Sequence, residues 1–347
     1  MRIKHRVSAF AVSGLVVVLA LAGCAKKGGS SASAGGSSGG SSGKSYTVAF
    51  VPKLQGIPYF EAMNAGGKQA AKDIPGLKWL YQGPTTADAA AQAQIVRSYI
   101  QQKVSTLIVA PNDPNSMAPV LQQAKAAGIK VATADTDAPS SVRQVFVNQA
   151  SVDGIADALT DQLMKAMGGP GEYAIVSCGP TADNLNSWIA AQKTYAKQKY
   201  PQAKLDTIVY AGEDQNKATQ MATDLIDSHP GLKGLVGECT SSAPGVAQAV
   251  QNAGKIGKIM TVGLGTPQSM KPYLDNGASS ASVLWDVKNL GYLTAWAGLQ
   301  MAEGKSFQPV NHVSSALPAI KYDAGDKGLL LGDPLIITKS NAGNYNY

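Results

Sequence analysis

The chain has 347 residues, 44% of them hydrophobic and 15% charged, with a formal net charge of +7 and three cysteines. Taking away Arg2, Lys4 and Arg6 of the first segment leaves +4, and setting aside Lys26, Lys27 and Lys44 leaves +1 for everything else. That balance does not advertise the basic folded face that a nucleic-acid partner requires, while about 300 remaining residues suffice for two domains of ordinary size.

Residues 1–23 read as a signal peptide: a basic start, an apolar run from Ala9 to Ala22, and small residues at the cut. The run falls short of the roughly 18 apolar residues of a membrane-spanning helix. Leu21-Ala22-Gly23-Cys24 has the lipobox pattern of bacterial lipoproteins, in which the cysteine becomes the lipidated first residue. The plainer reading is an ordinary signal peptide with a cysteine at that place. Lipidated Cys24 would hold the protein at the outer side of the cell membrane, since each buried CH₂ contributes about 0.8 kcal/mol. Residues 24–44 are a Gly/Ser-rich linker with no core-forming side chain, a flexible coil reaching about 25 Å.

Apolar runs then alternate with stretches of 3.6-residue period, the pattern of βαβ units and parallel sheets. Strands are expected at residues 47–52, 77–81, 106–110 and 130–134, with helices at 59–74, 88–102 and 116–127. A second series has strands at 173–177, 205–210, 235–237 and 258–262, and helices at 185–199, 217–228, 245–252 and 268–274. Residues 145–147 and 282–285 read as crossings between the halves, and 313–337 as extended chain closing over the joint. The fold class is therefore α/β, two doubly wound parallel-sheet lobes joined by a hinge that the chain crosses several times. The first lobe takes residues 46–146 and about 287–310; the second takes 147–284 and about 311–347.

In open parallel sheets ligands bind beyond the carboxyl ends of the strands, so two facing sheets define a cleft lined by strand-end loops. Those loops carry groups suited to hydroxyls: Lys53, Tyr59 and Phe60, then Asn112 and Asp113, Asp135 and Asp137, and Asn148 with Gln149. The second half offers Asp183, Asn184, Asn186 and Trp188, then Glu238 and Thr240, then Trp285 and Asp286. A sugar has apolar CH faces that aromatic rings cover, and a hydroxyl rim that carboxylates and amides bind two at a time. The competing reading is that Asn and Asp in these places are helix caps and turn formers, and that Trp188 and Trp285 pack the core. Lys53, closing an apolar strand, needs a carboxylate or a ligand, and Asp135 is the expected partner.

Cys178 and Cys239 each follow a strand of the second half. In a 2-1-3-4-5 strand order those strands are neighbours, which brings a bridge within reach, but two free buried thiols are the favoured reading.

Ala49-Phe-Val-Pro-Lys53, Tyr81-Gln-Gly-Pro-Thr-Thr-Ala-Asp88, Ala134-Asp-Thr-Asp137, Val262-Gly-Leu-Gly-Thr-Pro-Gln-Ser-Met270 and Leu284-Trp-Asp-Val287 carry a resemblance. From Tyr46 onward the chain resembles the type I periplasmic sugar-binding receptors, which share their fold with LacI-type regulators. The rhamnose-binding and autoinducer-2-binding receptors are the most similar groups. The resemblance implies a monomeric receptor that passes a small molecule to an ABC permease. Autoinducer-2 receptors hold their ligand with a lysine and an aspartate that match Lys53 and Asp135. Their second-lobe Asp-Gln pair falls on Asn184 and Leu185, and their proline and alanine on Glu238 and Thr240. These departures point to a sugar, deoxysugar or polyol rather than autoinducer-2.

Nothing in the chain matches a nucleophile elbow, a P-loop, a dinucleotide fingerprint or a zinc-protease motif, so neither an enzyme, a cofactor nor a metal is expected. His5 falls in the signal, leaving His229 before Pro230 and His312 in the late extended region. A regulator would need a DNA-binding headpiece where this chain carries a signal and linker.

Overall fold

The computed structural model describes residues 44–347. The segments expected as signal peptide and linker, with Cys24, lie almost wholly outside the described residues. In the first lobe, strands β1 (Tyr46–Val51), β2 (Leu77–Tyr81), β3 (Thr106–Val109), β4 (Lys130–Ala134) and β5 (Phe146–Asn148) are all parallel, in the order 2-1-3-4-5. Helices α1 (Pro58–Asp73), α2 (Ala89–Gln101) and α3 (Pro114–Ala126) connect them. Val48, Phe50 and Ile108 face α1, while Ala49, Val51, Leu107 and Val109 face α2 and α3, so the central strands are apolar on both sides, as a covered parallel sheet requires.

The second lobe repeats the plan. Strands β6 (Glu172–Ser177), β7 (Lys204–Tyr210), β8 (Leu232–Gly237), β9 (Met260–Gly263) and β10 (Ala281–Leu284) lie in the order 7-6-8-9-10. Helices α4 (Val152–Ala166), α5 (Asp183–Lys199), α6 (Gln215–Ser228), α7 (Ser242–Asn252) and α8 (Pro267–Asn276) cover it. Helix α4 is absent from the sequence reading, although its buried stripe of Ile155, Leu159 and Leu163 has helical spacing. Helix α9 (Val287–Ala302) returns to the first lobe and is equally absent from that reading. It buries ten residues around most of its circumference, which erases the one-sided pattern by which a helix is recognised.

Helices α1 and α9 approach until backbone touches backbone. A Cβ at Gly66 would fall on the carbonyl of Lys288, and one at Gly291 on that of Met63. Only glycine permits this separation. The pair matters to the cleft because α1 opens with Tyr59 and α9 follows directly on Trp285.

The C-terminal assignment needs correction. Strands β11 (Val310–Asn311), β12 (Ile320–Asp323) and β13 (Gly328–Leu330) extend the first sheet, not the second lobe. Strand β13 pairs parallel to β5, with Leu329 opposite Val147, and the Arg143 guanidinium fastens it by donating to the carbonyl of Asp326 at 2.9 Å. Only β14 (Leu335–Ile337), antiparallel to β10, and the tail after it belong to the second lobe. The chain thus crosses between lobes three times, after β5, after β10 and after β13. Among the described residues no helix is long and apolar enough to cross a membrane.

Candidate functional site

The first lobe supplies the floor of the cleft. Lys53 follows β1 and Asp135 follows β4; β3 lies between those strands, so the two side chains meet across a gap, Nζ to Oδ2 at 3.9 Å. Both are 4% exposed. Asp135 has φ of +66°, the left-handed region that non-glycine residues enter at a cost. Its backbone N–H donates to the Val147 carbonyl at 3.1 Å, which holds the turn and aims the carboxylate inward. Tyr59 donates its hydroxyl to Asp135 Oδ1 at 2.6 Å, and Thr136 donates to Oδ2 at 3.0 Å. Pro58 at the first position of α1 starts the helix, which puts Tyr59 and Phe60 in its first turn, against the cleft. Burial, and then the Asp135 carboxylate beside it, holds the Tyr59 phenol well above its usual pKa, so it stays a donor.

Trp285, at the end of the crossing strand β10, donates its indole N–H to the Tyr59 oxygen at 3.1 Å and stands edge-on to that ring. Trp188 from α5 packs against it with ring centres 5.8 Å apart. From the second lobe Asn184 Oδ1 accepts a 3.0 Å hydrogen bond from Lys53 Nζ, directly across the cleft. At the rim, Thr181 donates to the Asn112 carbonyl at 3.0 Å, another bond between lobes. The lobes are therefore closed on one another.

The space between them is lined by Lys53, Ile57, Tyr59, Phe60 and Asp135 from the first lobe. Asn184, Leu185, Trp188, Glu213, Cys239, Thr240 and Leu264 line it from the second, with Trp285 at the crossing. Cys178 and Cys239 form a disulfide with Cα atoms 6.1 Å apart, joining the ends of neighbouring strands β6 and β8. Closing a loop with a sequence separation of 61 residues stabilises the fold by about 4 kcal/mol in the chain-entropy account. It also fixes the loop that carries Thr240.

Of the expected ligand residues, Lys53, Tyr59, Phe60, Asp135, Asn184, Trp188, Thr240 and Trp285 come together here. Five do not. Asp137 pairs with Arg143, whose Nε and Nη2 reach its two oxygens at 2.6 Å each, and takes bonds from Thr133 and its own loop. It is part of the clamp on β13. Asn148 continues β5, its carbonyl accepting from Leu331. Asn186 donates to the Pro180 carbonyl at 2.9 Å on the outer side of its loop. Asp286 caps α9 by accepting from the Asn289 N–H at 2.9 Å. Asn112 and Asp113 are likewise structural: Asn112 donates to the Lys53 carbonyl at 2.7 Å, and Asp113 caps α3.

Glu238 also turns away from the cleft. Side chains alternate along an extended chain, so with Cys239 facing the cleft Glu238 points the other way, into the lobe beneath α5. It is fully buried; Gln192 donates to Oε1 at 2.6 Å, and Oε2 has no hydrogen-bond partner. Burial pushes its pKa up to about 8, the Gln192 bond opposing, so the carboxyl is mostly protonated at neutral pH. Conversely, Glu213 is a cleft residue that the sequence reading passes over. It stands three residues past β7, in the same kind of strand-end loop that yields the others, and that rule alone was enough to find it.

A family model described as a periplasmic binding protein domain matches residues 48–306, and the chain belongs to that family. LsrB from Clostridium saccharobutylicum, solved in complex with AI-2, superposes with a TM-score of 0.81 at 26% identity, covering 87% of this chain and 100% of that one. An ABC transporter solute-binding protein from Clostridium phytofermentas with bound L-rhamnose gives 0.80 at 29% identity, covering 87% and 98%. The D-ribose/D-allose-binding protein of Pseudomonas aeruginosa is 27% identical over 241 residues, 66% of this chain and 74% of the relative. The fold is that of the type I periplasmic binding proteins, and the relatives are solute-binding proteins rather than enzymes.

The buried Glu238 carboxyl gives a pH signature. Its folded pKa lies above the unfolded value of 4.5, so its neutral form contributes stability fully below that value and loses it as pH rises toward about 8. Relative to Glu238→Gln, whose amide oxygen still accepts from Gln192, the natural protein's melting temperature is expected to drop by roughly 5 °C or more between pH 5 and pH 9. Parallel melting curves that keep a constant separation across that range would refute the buried neutral carboxyl.

Proposed function

We propose that this protein is an extracytoplasmic receptor that closes its lobes on one neutral sugar, deoxysugar or polyol and presents the closed form to an ABC permease. The observation that carries the reading is the Lys53–Asn184 hydrogen bond, in which a first-lobe ammonium meets a second-lobe amide beside the Asp135, Tyr59 and Trp285 cluster. A ligand bound there shifts the open–closed equilibrium by its differential affinity for the two forms. The aromatic wall suits a ring's CH face. The relatives solved with L-rhamnose and named for D-ribose and D-allose support this chemistry.

Autoinducer-2 is the second reading, favoured by the likeness to LsrB and by Lys53 and Asp135. Against it stand Asn184, Leu185 and Thr240, which line the cavity and differ from the residues expected of such receptors. Glu238 no longer counts, since it faces away from the ligand space.

Titration calorimetry of residues 44–347 with L-rhamnose, D-ribose, D-allose, D-arabinose, erythritol and autoinducer-2 tests the proposal. One neutral sugar or polyol is expected to bind, and at 100 times its Kd to stabilise the fold by about 2.7 kcal/mol. Binding of autoinducer-2 alone would transfer the protein to signalling, and no binding at all would refute the ligand class. Membrane attachment through lipidated Cys24 has its own test: Cys24→Ala is expected to move the full chain from the membrane fraction to the soluble one, and unchanged fractionation would reject the anchor.

A further inference from the structure

Counting hydrogen bonds around the cavity separates groups already engaged by the protein from groups with capacity to spare. Asp135 takes Tyr59 on one oxygen and Thr136 on the other, with Lys53 nearby. The Lys53 ammonium is turned toward Asn184. Glu213 differs from both. It is part-buried, and its one side-chain bond is a long one, from the Ser241 hydroxyl to Oε2 at 3.4 Å. A carboxylate offers about four lone-pair positions, so most of the acceptor capacity of Glu213 is unspent where it meets the ligand space. It also lies on the wall between that space and an adjoining interlobe hollow lined by Pro58, Gln215, Ser241, Thr266 and Ser269.

The charges bear on the same point. Two carboxylates, Asp135 from one lobe and Glu213 from the other, face a single ammonium, Lys53. Burial raises the pKa of Glu213, Lys53 opposes that and Asp135 adds to it, so the groups feel one another across the cleft. A third negative charge placed among them would meet an excess of like charge in a site of reduced dielectric.

We propose that Glu213 is the second-lobe acceptor that binds the ligand's hydroxyls and that, with Asp135, it makes the site select neutral polyhydroxylated ligands over acidic ones. The assignment rests on the sugar-receptor reading above and narrows it: uronates, aldonates and sugar phosphates are rejected on charge. Glu213 then sets specificity as an unsatisfied acceptor does. A ligand hydroxyl fills its empty lone pairs, whereas a ligand carboxylate leaves them empty and adds repulsion.

The test pairs matched probes with an isosteric variant. Calorimetry is run on the natural protein and on Glu213→Gln with D-galactose against D-galacturonate, D-ribose against D-ribose 5-phosphate, and L-rhamnose, with melting curves to confirm that both proteins are folded. The natural protein is expected to bind a neutral member at least 100-fold tighter than its acidic partner. Glu213→Gln is expected to lose at least 10-fold for the neutral sugar and to shrink the neutral-to-acidic ratio. Equal affinity for the two members of a pair in the natural protein overturns the proposal even if the variant fails to fold. An unchanged affinity and ratio in Glu213→Gln overturns it while leaving the receptor function intact. A natural protein that binds none of the neutral probes overturns the sugar reading and this assignment with it.

Discussion

A buried ammonium facing a buried carboxylate, Lys53 against Asp135, is the constraint around which the cleft is organised. Neither charge tolerates burial alone, since an unpaired ion in a low-dielectric site costs several kcal/mol. At 3.9 Å they do not satisfy each other fully, and the remaining valences recruit the rest of the site. Tyr59 and Thr136 complete Asp135; Asn184 completes Lys53 from the opposite lobe; Trp285 supports the Tyr59 oxygen. The backbone of Asp135 is held in a left-handed turn to make this arrangement possible. Closure of the lobes is thereby tied to electrostatics: separating them strips Lys53 of its Asn184 partner and returns it to water.

The two-lobed architecture serves that tie. Helix α1 delivers Tyr59, and α9 begins immediately after Trp285; glycines at 66 and 291 let the two helices lie backbone to backbone, so these aromatic side chains are placed by a rigid pair. The disulfide does comparable work in the second lobe, tying the loop with Thr240 to the end of β6. Arg143 and Asp137 fasten β13 to the first sheet next to the crossing after β5, which gives the last crossing a fixed origin.

Much of this was legible in the sequence, because strand-end loops of doubly wound sheets are identifiable from periodicity alone. Lys53 and Asp135 stood out as charges closing apolar strands. What periodicity does not convey is the direction of a side chain at a strand end. Glu238 and Cys239 are adjacent and face opposite ways, so a loop correctly placed in the cleft still carried a carboxyl turned into the core. Asp137 and Asp286 were likewise in suitable loops but are consumed by Arg143 and by the start of α9. Glu213 was missed for no physical reason, since its loop follows β7 as the others follow their strands. The late strands β11 to β13 are two to four residues long, too short for any pattern to say which sheet they extend. Helix α9 is hidden by its own burial.

The central claim is that the Asp135 carboxylate, held by Lys53 and Tyr59, sets the ligand site. Asp135→Asn keeps the shape of the side chain and the left-handed turn, which asparagine also tolerates, while removing the charge. Calorimetric titration of this variant with the neutral sugar that binds the natural protein, alongside circular dichroism, is the most direct test. Loss of affinity by about 100-fold or more in a protein that remains folded is the predicted result, in line with the 2–5 kcal/mol cost of breaking a buried charged hydrogen-bonded pair. Affinity retained within a few-fold would contradict it.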